Sequence, residues 1–126
     1  MISTAQFGLL ILLTIVLLLH FIILLKIIPY HNIWGGNLKS NKEMYRFEFF
    51  SVLINSLFII VIFTQAGFLK INIPIKIITY ALWFMTCLFL LNTFGNAVSK
   101  NKIERLLFTP ITLLLFIFSF VLAVSN

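Results

Sequence analysis

Four continuous apolar stretches organise this chain, and its charges fall between them or close to their ends. A hydrocarbon core about 30 Å thick needs roughly 20 helical residues at about 1.5 Å each. Four segments meet that length: about Gln6–Ile28, Tyr45–Ala66, Ile75–Ala97 and Glu104–Val124. Their runs are unbroken, whereas a membrane strand alternates with period two over about ten residues. The expected fold is therefore all-α, an integral membrane four-helix bundle forming a single domain over residues 1–126. The first stretch is not expected to be a cleaved signal: Met1–Gln6 lacks the basic start that a signal peptide needs, and the basic residues come after the stretch.

The polar residues inside these stretches are unevenly placed. His20, Glu48, Ser51, Asn55, Asn92, Asn96, Thr109 and Thr112 fall in the same half of their spans, and the other half holds little besides Thr14, Gln65, Tyr80 and Ser119. Glu48, Ser51 and Asn55 recur at helical spacing on one face of the second span, and Asn92, Asn96 and Ser99 on one face of the third. Thr109, Thr112, Phe116 and Ser119 trace a face of the fourth. Burying such groups in hydrocarbon costs free energy that a partner must offset, so the faces are expected to turn inward. Two roles fit them: interhelical hydrogen bonds that hold the bundle, or a water-accessible vestibule open to the cytoplasm.

Glu48 is the sharpest single residue. Glu43 has Arg46 three positions on and Glu104 has Lys100 four positions back, but Glu48 has no cation at either spacing in its own helix. Its charge must be met from another helix. Arg105, Lys26 and His20 lie at comparable depth, and an ion pair with Arg105 is the expected arrangement. Pro110 gives the fourth helix its shape. A start at Thr109 would leave too short a span, so the helix is expected to begin near Glu104 and kink at Pro110. The carbonyl of Leu106 would then lose its usual donor, with Asn92 or Asn96 filling the gap. Gly8 and Gly95 are the only glycines within the spans, with no GxxxG pair, so Leu, Ile and Phe must do most of the packing.

Composition agrees with lipid as solvent: 62% hydrophobic and 10% charged residues, with a mean hydropathy of +1.16. The net charge of +6 is distributed by side. Lys26, Lys39, Lys42 and Arg46 flank the first connection and Lys100, Lys102 and Arg105 the third, against Lys70 and Lys76 at the second and none in the tails. The basic connections mark the cytoplasmic face, so both termini are expected outside the cytoplasm in a multi-pass arrangement. Tyr30, Trp34, Lys39, Lys42, Arg46, Lys100 and Lys102 would form an interfacial collar that meets anionic lipid headgroups. Cations divided among membrane loops make no nucleic-acid groove.

A self-comparison at an offset of 59 residues places Gly36, Asn37, Ser40, Arg46 and Phe49 on Gly95, Asn96, Ser99, Arg105 and Phe108. The first span then overlays the third and the second overlays the fourth, as two tandem copies of one helical hairpin would. A chain this biased toward Phe, Ile, Leu, Asn and Lys also matches itself by composition, and both explanations stand. Cys87, alone and deep in the third span, reads as a small buried apolar residue.

Catalysis is not expected. Three carboxylates, two distant histidines and one thiol give no nucleophile–base pair, no metal-ligand spacing and no cofactor motif. The first span has no carboxylate, unlike small multidrug exporters, and no CxxC marks a quinone-linked oxidoreductase. Two functions remain. One is an interaction, structural or lipid-associated membrane component, with a membrane-protein partner or a second copy. The other is a small oligomeric transporter or channel for a solute or ion, with a polar vestibule facing the cytoplasm.

Overall fold

The computed structural model describes residues 2–25 and 41–126. All of their regular structure is helical: α1 (Ile2–Leu24), α2 (Asn41–Gln65), α3 (Ile75–Ala97), and a π-helical turn (Glu104–Phe108) that runs directly into α4 (Thr109–Ser125). Counting that turn with α4, the described residues hold four helices long and apolar enough to cross a membrane. Lys26, Tyr30, Trp34 and Lys39 lie outside the described residues. One end of the bundle carries the α3–α4 connection, the end of α1 and the start of α2; it is called the connection end below, and the opposite end the far end.

Local chemistry sets the helix limits. Gly67 ends α2 at φ 84°, a conformation glycine takes without Cβ strain, and the Phe68 and Leu69 amides turn back onto the Phe63 carbonyl. Pro74 precedes α3, where its missing N–H costs nothing. The fourth helix does start at Glu104, but the proline is accommodated differently from the expected simple kink. The turn before Pro110 widens to π geometry, and the Thr109 amide reaches five residues back to the Glu104 carbonyl. One extra residue in that turn moves the carbonyls away from the proline ring, which would collide with an ordinary α-helical carbonyl. Asn96 does not fill a vacancy at Leu106; its Nδ2 donates to Thr112 Oγ1 at 3.5 Å.

The helices pack as two antiparallel hairpins, α1 with α2 and α3 with α4. These join mainly through α1 against α4, while the other seam, α2 against α3, is much the sparser. A large apolar cluster runs from the far end to the middle and includes Leu9, Leu13, Phe58, Ile62, Leu82, Met85, Leu115 and Leu122. A small one, Ile23, Met44 and Phe108, closes the connection end between α1, α2 and α4. Large apolar side chains also cover the outside, among them Ile11, Leu18, Phe49, Phe84, Leu91 and Leu106. That exterior suits a hydrocarbon solvent.

Cys87, expected to be buried, is exposed. It stands between Thr86, which turns inward, and the half-buried Leu88, so its helical phase carries it to the outer surface.

Candidate functional site

Most polar side chains in the helices satisfy themselves. The hydroxyls of Thr14, Thr64, Thr79, Thr86, Thr93 and Thr112 each donate to the carbonyl four residues back, as does Asn55 Nδ2 to the Ser51 carbonyl at 2.7 Å. This is the standard way for a hydroxyl to enter an apolar helix without a partner on another one. The threonine hydroxyl protons therefore stay within their own helices, although the Thr79 and Thr112 oxygens also accept from a neighbouring helix.

The bonds that do cross between helices stay within the hairpins, among the described residues. Gln6 Nε2 donates to Gln65 Oε1 at 2.7 Å near the far end of α1–α2, and His20 Nδ1 meets Glu48 Oε2 at 2.5 Å near the connection end. Asn126 Nδ2 donates to Thr79 Oγ1 at 2.7 Å at the far end of α3–α4, and Asn96 to Thr112 near the connection end. Each hairpin is thus clasped near both ends, and the hairpins meet through apolar packing.

The strongest of these contacts corrects the expected ion pair. Glu48 is fully buried at 0% exposure and pairs with His20, itself 5% exposed. Arg105 is exposed, and its guanidinium donates to the Ser99 carbonyl at 3.3 Å. The reason is helical phase: Glu104 and Phe108 take the inward positions of the π turn, which sends Arg105 outward. One proton must lie between Nδ1 and Oε2 for so short a contact, carried by the imidazole or by the carboxyl. Lys26, the third candidate partner, falls outside the described residues.

Beside this pair lies a cavity of about 450 Å³. His20, Ser51, Asn55, Asn92, Asn96 and Thr112 all border it, so the structure brings six of the eight residues of the polar set to one space. Glu48 stands behind His20. Thr109 is the member left out, its hydroxyl directed to the Glu104 carbonyl at 3.4 Å. Exposure along the walls shows where the cavity opens. Its exposed lining residues, Phe47, Phe50, Leu91, Asn92 and Gly95, are all on α2 and α3, whereas His20, Glu104, Phe108 and Leu115 at the back are buried. The opening is therefore sideways, at the sparser of the two seams between the hairpins, α2 against α3. Toward the far end it is shut by the edge-to-face contact of Phe58 with Phe89, centroids 5.6 Å apart. Asn92, expected to turn inward with its stripe, stands exposed at this mouth.

One lining residue escaped the sequence reading. Glu104 was assigned to Lys100, but Lys100 is exposed and Glu104 is 6% exposed, accepting a hydrogen bond from Ser99 Oγ at 2.6 Å. Asn101 Oδ1 accepts from the Ile103 and Glu104 amides at 2.9 and 3.2 Å, and Ser99 Oγ accepts from the Asn101 amide at 3.1 Å. The signal was present in the sequence: Asn101-x-x-Glu104 has the spacing of a capping box, which fixes the carboxylate in the first turn rather than on the surface.

Lys42, Arg46, Lys100 and Lys102 are exposed at the connection end, and none of them borders the cavity. Among the described residues no three His, Cys, Asp or Glu side chains come together as a metal site. Comparison with protein-family models, with curated proteins and with solved structures gives no match.

Proposed function

We propose that this is a multi-pass, lipid-associated membrane protein that takes an amphipathic, membrane-resident molecule into the cavity between α2 and α3. The sideways opening of a polar cavity in an otherwise apolar exterior carries this reading. A pore for a water-borne solute would open along the bundle axis, whereas a molecule already dissolved in the bilayer arrives from the side. The volume lies within the roughly 300–1,000 Å³ usual for small-molecule sites. Polar groups at one end of the space and Phe50, Phe58, Phe89 and Leu91 around the rest match a ligand with a polar head and an apolar body.

In this reading the connection end faces the cytoplasm, both termini lie on the other side, and Lys42, Arg46, Lys100 and Lys102 meet anionic headgroups around the site. No catalytic role is assigned to it. The test is a photoreactive lipid analogue activated in membranes that contain the protein, with crosslinked peptides mapped by mass spectrometry. Crosslinks should concentrate on Phe50, Leu91 and Asn92 and be lost in Gly95→Leu. Crosslinks spread evenly over the outer faces of all four helices would reject a defined site. Orientation is read separately with an impermeant thiol reagent on intact cells in a Cys87→Ser background. A cysteine at Ser3 should label and one at Ser99 should not; the reverse pattern inverts the topology.

A second reading, a proton-linked transporter, is favoured by the His20–Glu48 contact, since a shared proton beside a cavity is a common element of coupling. It requires flux into liposomes that Glu48→Gln abolishes while the fold survives.

A further inference from the structure

Among the described residues the polar lining is the His20 imidazole, the Ser51 and Thr112 hydroxyls, the Asn55, Asn92 and Asn96 amides and one carboxylate, Glu104. Asn55 has committed an Nδ2 proton to the Ser51 carbonyl, Asn96 has committed one to Thr112, and the Thr112 hydroxyl proton goes to its own helix. Asn55 and Asn96 each keep one N–H and an amide oxygen, Asn92 keeps its whole amide, and the Glu104 carboxylate is the one acidic group among the described lining residues. The Ser51 hydroxyl makes no hydrogen bond with any described residue, although Ser51 is only 7% exposed and borders the cavity. Among the described residues no lysine or arginine lines the space: Lys42, Arg46, Lys100, Lys102 and Arg105 are all exposed and border none of it. Phe47, Phe50, Phe58 and Phe89 complete the walls, and aromatic faces attract a cation within about 6 Å.

Building on the cavity reading above, we infer that the site selects an amphiphile whose head is an ammonium group. Such a head brings only donors and positive charge, which is what acceptor oxygens, a buried carboxylate and ring faces lack. The Glu104 carboxylate, oriented by Ser99, is its principal contact, and the unpaired Ser51 hydroxyl and Asn55 Oδ1 accept the remaining N–H bonds. An anionic head would place its charge against Glu104, with no lysine or arginine among the described lining residues to offset it. The outward-facing lysines do not oppose this selection, because the ligand reaches the site from the bilayer between α2 and α3. The chain therefore separates two kinds of lipid contact: anionic headgroups around the outside and an ammonium head inside.

The test uses the full chain in phosphatidylcholine nanodiscs with three radiolabelled ten-carbon probes, decylamine, decanol and decanoate. Binding to empty nanodiscs is subtracted to remove simple partitioning. Decylamine should saturate near one per chain, at a lipid-phase mole fraction at least about tenfold below that needed for decanol, and decanoate should show no saturable component. Glu104→Gln keeps the shape and the Ser99 contact while removing the charge; it should bring decylamine to within about threefold of decanol. Ser51→Ala, which removes a hydroxyl with no protein partner and leaves folding untouched, should weaken decylamine about threefold. Gly95→Leu should abolish saturable binding of every probe. Decanol or decanoate saturating as tightly as decylamine, with the binding lost in Gly95→Leu, overturns the ammonium assignment and leaves the cavity reading intact. An unchanged decylamine preference in folded Glu104→Gln also overturns it, and Ser51→Ala decides the same point if Glu104→Gln does not fold. Saturable binding by none of the three probes removes both the assignment and the cavity reading.

Discussion

The bundle has two seams between its hairpins, and they are built in opposite ways. Where α1 meets α4 the helices close tightly around Gly8, at which any Cβ would run into the ring of Phe118. Where α2 meets α3 the seam closes only around Phe58 and Phe89 and stands open at the connection end beside Gly95, at which a Cβ would touch nothing within 4 Å. The two glycines inside the helices thus serve opposite ends: one removes a side chain so that two helices can touch, the other removes one so that a space stays empty. If the chain arose from two copies of one hairpin, these seams would once have been equivalent, α1 on α4 matching α3 on α2. The difference then shows where packing has been given up. Polar residues accumulate at the open seam because a loosely packed, accessible wall lets them keep partners or water that a closed seam would strip away.

The largest effect is expected at the clasp that holds α2 in place beside the open seam. Glu48→Leu should destabilise the protein in lipid by about 3–5 kcal/mol, because it removes the carboxylate from its buried contact with His20. The double change His20→Leu with Glu48→Leu should recover much of that loss in a double-mutant cycle read by reversible unfolding. Absence of coupling would mean that the clasp does not hold the α1–α2 hairpin. Next comes the closed seam itself. Gly8→Leu should cost about 1–3 kcal/mol through overpacking against Phe118, and adding Phe118→Ala should relieve part of it. A Gly8→Leu protein as stable as the parent would show that the α1–α4 contact is not tight.

The same substitution at the open seam should have the opposite sign. Gly95→Leu should raise stability by about 0.5–1 kcal/mol, since it replaces glycine in a helix with a better helix former in free space; a fall of that size would argue that the space is already filled. The smallest effect is expected inside the dense half. Ser119 is fully buried and its hydroxyl has no partner, so Ser119→Ala should be neutral or stabilising by no more than about 1 kcal/mol. Clear destabilisation would reveal a bond to the hydroxyl that tightens the core.

Much of the fold could be read directly from the sequence. The four helices fall within a few residues of the apolar stretches, because span length is dictated by hydrocarbon thickness and helix rise, both properties of a single segment. The inward tendency of Glu48, Ser51 and Asn55 was likewise legible from spacing, since three buried residues at i, i+3 and i+7 define one face. The start of the fourth helix at Glu104 followed from Pro110 and span length alone.

What sequence could not supply was the pairing between faces. It placed Glu48 at a depth with three candidate partners, and the rotation of α1 relative to the π turn at Glu104–Phe108 selected His20 over Arg105. It marked Asn92 and Asn96 as one stripe, yet the stripe straddles the mouth of a cavity, with Asn96 reaching Thr112 and Asn92 exposed. It credited Glu104 to Lys100, where the Asn101 cap and Ser99 hold the carboxylate inward instead. Segment length, hydrophobicity and helical phase are local quantities and are written residue by residue. Which helices touch closely, and which stand apart to leave a space, depends on the side chains of four segments fitting at once, and only the assembled bundle decides it.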